Sequence, residues 1–123
     1  MIGPIQFADG LWRGSRPETA EDWERVQRFE IVDLEMQPAP RFDQWFPLRQ
    51  VFPPLKFRVA MVLNALVTAK RPVFLHCRTG VDRTGFVVAK YRVLVQGRSK
   101  SAAREEMKAM GNHWWLGWWR WFV

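Results

Sequence analysis

Residues 73–85, Val-Phe-Leu-His-Cys-Arg-Thr-Gly-Val-Asp-Arg-Thr-Gly, constrain the fold of this chain more than any other stretch. The apolar run Val73–Leu75 reads as a short buried strand, and from Thr84 the pattern turns helical. A strand that passes through a tight loop into a helix aims several backbone N–H groups at one point, and the helix dipole adds partial positive charge there. Such a unit binds anions, and it belongs at the carboxyl edge of the sheet in an α/β domain. Cys77 opens the loop and Arg83 closes it. Amide dipoles beside a guanidinium favour the thiolate, which is the nucleophilic form. The planar fork of an arginine holds two oxygens of a tetrahedral oxyanion, which a lysine does less well. A lone cysteine at a strand end is usually a small buried hydrophobe, and a lone histidine there a core residue. Their combination with Gly80 and Arg83 is what points to phosphate.

Cys77, five residues, then Arg83 and Thr84, preceded by His76 and carrying Gly80, resembles the signature of the cysteine-dependent protein tyrosine and dual-specificity phosphatases. Leu11-Trp12-Arg13-Gly14-Ser15-Arg16-Pro17 also resembles the opening of the small atypical dual-specificity members. The resemblance spans roughly residues 11 to 112 and is strongest in 73–97. It implies a compact phosphatase fold, a central, mostly parallel sheet flanked by helices with the signature loop between a strand and a buried helix. It further implies attack by Cys77 on a phosphate ester and hydrolysis of the resulting phosphocysteine by water, with no metal and no cofactor. Arg83, with the backbone of Arg78, Thr79, Gly80, Val81 and Asp82, would cradle the phosphoryl oxygens. Thr84 would hydrogen-bond the thiolate and help it depart, and His76 would brace the loop from behind. A rhodanese-type sulfur transferase also sets a cysteine on an anion loop, but the arginine spacing and the Arg-Thr-Gly ending fit the phosphatases better.

A phosphate ester with a poor leaving group needs a general acid. In dual-specificity phosphatases an aspartate supplies it from the loop before the long helix. That loop is here Leu48-Arg49-Gln50-Val51-Phe52-Pro53-Pro54, with Gln50 where the aspartate is expected. Asp43, just upstream, and Asp82, inside the signature loop as in myotubularin-like lipid phosphatases, are the alternatives, with Glu35 a more remote third. A domain without an acid would cleave activated aryl phosphates or simply hold a phosphorylated ligand.

The rest of the chain alternates strand and helix. Ile5–Phe7 and Leu11–Arg13 flank an Asp9-Gly10 turn. Thr19 with Asp22 forms a capping box for a helix expected over 19–29. Ile31–Leu34 reads as a central strand, and 45–49 as another weakened by Pro47. From Pro54, as a first-turn proline, Leu55, Val59, Val62, Leu63 and Leu66 follow helical spacing to about Ala69. The helix from Thr84 to Gln96 is apolar on most sides and is expected to be buried, with only Lys90, Arg92 and Gln96 toward solvent and Gly97 as its cap. Ser99 or Ser101 would cap a last helix with Ala103, Met107 and Met110 inward.

With 123 residues the chain is one domain, and no internal repeat is visible. Its net charge of +7 suggests acidic partners: a phosphorylated protein, a phosphoinositide or an RNA end, with no DNA expected. One cysteine excludes an intrachain disulfide and a cysteine-rich zinc site. A reactive thiol and the absence of a signal-peptide pattern at Met1-Ile2-Gly3-Pro4 lead to a cytoplasmic expectation. The segment 112–123 holds five tryptophans, Trp114, Trp115, Trp118, Trp119 and Trp121. Packing across the core is the simplest use for them; Trp114, Trp115, Trp118 and Trp119 could instead make a peripheral membrane or dimer contact.

Overall fold

In the computed structural model the elements are β1 (Ile5–Ala8), β2 (Leu11–Gly14), α1 (Ala20–Arg25), β3 (Glu30–Asp33), β4 (Gln44–Trp45), α2 (Lys56–Thr68), β5 (Val73–His76), α3 (Arg83–Leu94) and α4 (Lys100–Ala109). The structure describes residues 1–70, 72–113 and 122–123, so the contacts expected of Trp114, Trp115, Trp118 and Trp119 lie outside the described residues. The strands form one sheet in the order β1-β2-β5-β3-β4. β1 runs antiparallel to β2, and the remaining pairs are parallel, in line with the α/β reading.

β5 is buried along its whole length because β2 and β3 flank it, the helices after β4 cover one face and the turn after α1 covers the other. Alternation along the strand divides the core in two. Val73 and Leu75 pack with Val62, Leu66, Val87, Val88 and Met107 from α2, α3 and α4. Phe74 points the other way, to Val26, Phe29 and Ile31. Burying side chains of this size contributes about 1.5–3 kcal/mol each. The register sets His76 opposite both Gly14 and Asp33, so three strand ends meet where the signature loop begins.

Several elements are shorter than their sequence pattern suggests. The capping box at Thr19 forms, with Thr19 Oγ1 accepting from Asp22 N at 3.1 Å, but α1 stops at Arg25. Val26 and Phe29 are buried from a tight turn instead, through i→i−3 bonds that send the chain straight into β3. The strand expected at 45–49 is limited to Gln44–Trp45, since Pro47 has no N–H for the ladder. Pro54 precedes the helix cap, Leu55, rather than occupying the first turn.

α3 is buried from Arg83 to Ala89, as a buried central helix should be. Its second half departs from expectation: Leu94 is 65% exposed and Val95 45%, whereas Arg92 is only 8% exposed. The reason is α4, which brings Glu106 to Arg92 Nε at 3.1 Å while Gln96 Oε1 accepts from Nη1 at 2.9 Å. A buried cation is tolerated when it is paired and hydrogen-bonded. Gly97, at φ +70°, then lets Arg98 N reach back to Arg92 O and close the helix. Ser99 caps α4; Ala103 and Met107 face inward, but Met110 lies at the surface.

Candidate active site

Cys77 is the first residue after β5 and is buried. From there the loop turns on Gly80, at φ +76°, a conformation in which a Cβ is strained. The space forbids one too, because a Cβ would stand 2.6 Å from the carbonyl carbon and oxygen of Gly14 and 2.8 Å from Ser15 N. The outer side of the loop is held at three carbonyls. Arg13 Nη2 donates to Gly80 O at 3.0 Å, Arg16 N donates to Arg78 O at 3.0 Å, and His76 Nδ1 lies 3.2 Å from Cys77 O. The backbone N–H groups of Arg78, Thr79, Gly80 and Asp82 donate to no other described residue. They form the cradle that an anion would fill.

Arg83, the first residue of α3, is 6% exposed, and its Nη1 donates to Leu48 O at 3.4 Å. That bond ties the guanidinium to the loop before α2. Thr84 is fully buried, and its Oγ1 has no hydrogen-bond partner among the described residues, so the expected bond to Cys77 is not made in this structure. Arg13 is the residue that sequence reasoning passed over. It occupies an inward position on β2, 3% exposed, and desolvation lowers its pKa below the ordinary arginine value. The signal was present: an arginine two residues after Leu11 shares the buried face of the strand.

Behind the loop lies a buried polar trio. His76 Nε2 is 3.7 Å from Asp33 Oδ2, and its Nδ1 is 3.6 Å from Glu35 Oε1. Asp33 accepts from the N–H groups of Glu35 and Ala39, each at 2.8 Å, and Glu35 Oε2 pairs with Arg16 at 3.0 Å. One donor atom of each of Asp33, Glu35 and His76 lies within 4.8 Å of the others, the kind of set that can hold a cation. Arg16 and the two backbone donors already engage these carboxylates, which makes the trio a brace for the loop. Burial lowers the pKa of His76 and raises that of Asp33, so both groups are shifted toward their neutral forms.

The three proposed acids are placed differently. Asp43 Oδ2 accepts from Ile31 N at 2.7 Å, at the opposite end of β3 from the signature loop. Ile31 is paired with Phe74, three residues before Cys77, so Asp43 is not brought to the pocket. Glu35 is taken up by Arg16. Asp82 is in the loop but 1% exposed, with its carboxylate turned onto the segment after α4: His113 N donates to Oδ1 at 2.9 Å and Asn112 Nδ2 at 3.3 Å, while His113 Nδ1 meets Oδ2. The loop 46–54 contains no carboxylate.

A sequence model of the family described as DSP-PTPase phosphatase fused to NAD+ Kinase matches residues 45–114, more than half of the chain. The chain belongs to this phosphatase family. The dual specificity protein phosphatase TpbA of Pseudomonas aeruginosa (strain UCBPP-PA14) is 49% identical to the phosphatase over 55 residues, 43% of this chain and 25% of TpbA. The match therefore spans about a quarter of the length of that curated relative. A crystal structure of P. aeruginosa TpbA is similar at a TM-score of 0.75 and 28% identity, covering 92% of this chain and 80% of the other. A TpbA variant in complex with pTyr is similar at a TM-score of 0.68 and 30% identity, covering 83% and 70%.

Proposed function

We propose that this phosphatase hydrolyses phosphate monoesters, phosphotyrosine in proteins first among them, through a phosphocysteine on Cys77. The observation that supports the reading is the cradle itself: buried Cys77 opening the loop, the N–H groups of Arg78, Thr79, Gly80 and Asp82 without a partner among the described residues, and Arg83 closing it. A phosphoryl group seated there has its non-bridging oxygens met by amides and guanidinium, and the Cys77 sulfur lies on the side opposite the leaving oxygen. The S–P bond forms as the P–O bond breaks, and water then releases phosphate and regenerates the thiolate. Arg13, Arg16 and His76 hold the loop carbonyls, so the N–H groups need little reorganisation when charge develops. The pTyr complex of TpbA supports an aryl phosphate as substrate, and the net charge of +7 suits an acidic phosphopeptide or phosphoinositide. A reduced compartment such as the cytoplasm suits a working thiol; among the described residues no helix is long and apolar enough to cross a membrane.

A second reading, a phosphate-binding protein without turnover, is favoured by the lack of any carboxylate in the loop 46–54. The two separate in an assay run in EDTA with para-nitrophenyl phosphate and a phosphotyrosine peptide, on wild type and Cys77→Ser. Vanadate-sensitive turnover of both substrates, abolished by Cys77→Ser, is the expected result. Hydrolysis of the nitrophenyl ester alone would redirect the substrate search to phosphoinositides. Binding of vanadate without turnover of either substrate would overturn the enzyme reading in favour of the binder.

A further inference from the structure

The outer face of α2 and α3 departs from an ordinary protein surface in two ways, and the first is how apolar it is. Between the helices runs a groove of about 310 Å³, lined in part by Lys56, Ala60 and Leu63 of α2, Lys90 and Leu94 of α3, and Phe122. Large side chains stand out around it: Leu94 is 65% exposed and Phe57 59%. Met61, one turn beyond Phe57 on α2, is exposed too, as are Val51 and Phe52 in the loop that leads to the helix. The inner residues of α2, Val59, Val62 and Leu66, already fill the core. A helix that is apolar on both sides belongs under cover, and the fold of this chain uses only one side of α2.

The second departure is charge. Neither α2 nor α3 contains a carboxylate, and between Asp43 and Glu105 the sequence has only Asp82, which is buried and bound by Asn112 and His113. Lys56 and Lys90 line the groove, and Lys100, the first residue of α4, is close enough to act on Lys90. Burial first, and then Lys100 and Lys56, hold the pKa of Lys90 below the ordinary lysine value. Its Nζ lies 5.7 Å from the centre of the Phe86 ring. Like charges gathered around an apolar groove are relieved by anions that border an apolar phase.

We propose that this face docks the protein on an anionic lipid surface, with Phe57, Met61 and Leu94 entering the acyl boundary and Lys56, Lys90 and Lys100 meeting the headgroup phosphates. Lysine suits the second task because its stem lies along apolar surface while the ammonium reaches out to the phosphate. Phe122, in the groove, follows a segment with five tryptophans, Trp114, Trp115, Trp118, Trp119 and Trp121, a residue type enriched at bilayer interfaces. A second copy of the chain is a poorer occupant. A two-fold contact sets a patch against itself, and here it would oppose lysine to lysine with no carboxylate from either helix between them. The inference does not depend on turnover at Cys77.

The test is co-sedimentation of the whole chain with vesicles of phosphatidylcholine, alone or with about 30% phosphatidylserine, at about 0.1 M and about 0.5 M salt. The wild type is expected to bind the phosphatidylserine vesicles at the lower salt, and to bind less at the higher salt or on phosphatidylcholine alone. Lys56→Gln/Lys100→Gln should weaken that binding by about 30-fold, at about fivefold per lysine. Phe57→Gln/Leu94→Gln should weaken it on the order of 10²-fold. All four side chains are exposed, and thermal unfolding of each variant separates lost docking from lost fold, either pair serving alone if the other unfolds. Absence of binding to phosphatidylserine vesicles at the lower salt would overturn the proposal. Wild-type binding by both variants would overturn it as well, by placing the contact elsewhere on the chain. So would a monomer–dimer equilibrium that Phe57→Gln/Leu94→Gln abolishes while vesicle binding persists, since the face would then belong to a second copy.

Discussion

Gly80→Ala is the most demanding single change for the loop geometry, because two independent costs fall on one methyl group. The first is conformational: at φ +76° an alanine sits in the left-handed region, at about 1–2 kcal/mol. The second is steric. The new Cβ would stand 2.6 Å from the Gly14 carbonyl, and ordinary contact begins at 3.4 Å, so the two backbones must separate by about 0.8 Å. Gly14 is itself closely packed: a Cβ built on it would stand 2.4 Å from Ile2 O and 2.8 Å from the Phe74 ring, which leaves little slack there. Forcing extra volume into such a site costs about 1–3 kcal/mol. Together these terms come to about 2–5 kcal/mol, a large part of the ~5–15 kcal/mol that holds a domain together. Each kcal/mol lowers Tm by roughly 3–6 °C at this chain length. If the loop yields instead, the bond from Arg13 to Gly80 O is stretched and the cradle moves by close to an ångström, a misplacement worth about 10²-fold in rate. Thermal unfolding, vanadate affinity and kcat/KM on para-nitrophenyl phosphate, measured on one preparation, show where the strain goes. A Gly80→Ala variant matching wild type in all three would refute the argument that the loop rests on Gly14.

Arg13→Met should leave the buried Gly80 carbonyl without its donor while removing a desolvated cation. The lost bond and the relieved charge offset one another in stability, so Tm should change little while kcat/KM falls by about tenfold; unchanged kcat/KM would show that the loop stands without this brace. Burial pushes the pKa of His76 below the ordinary 6.5, so the native state takes up a proton less readily than the unfolded chain. Stability from this group is therefore full above pH 6.5 and is lost as the pH falls below it. Asp33 acts in the opposite sense, since burial raises its pKa above 3.8 and ionising it costs stability as the pH rises. Comparing wild type with His76→Gln isolates the histidine: urea unfolding from about pH 7 to about pH 5 should show a steeper loss in wild type, and parallel curves would refute the assignment.

Much of this architecture is written in local patterns. The strand Val73–Leu75, the loop from Cys77 to Asp82 and the helix that follows are legible because a buried strand, a glycine turn and a helix start each have a short-range signature. Thr19 with Asp22 and Ser99 were readable as caps because a cap is satisfied within three residues. The signals that misled were local as well: apolar Leu94 and Val95 read as core, and Arg92 as surface, because the position of Glu106 relative to α3 is set by how α4 packs.

The chemistry-bearing loop and its place between a strand and a helix can be read from local pattern alone, since backbone conformation there follows from neighbouring residues. What surrounds the loop is set by packing between distant segments. Arg13 reaches Gly80 across 67 positions, Arg83 reaches Leu48 across 35 and His113 reaches Asp82 across 31. Asp43, close in sequence to the loop where an acid was sought, is drawn to the far end of β3 by the Ile31 N–H. Contacts of that range depend on the order in which strands join the sheet and on which helix covers which face, and no periodicity along the chain encodes them.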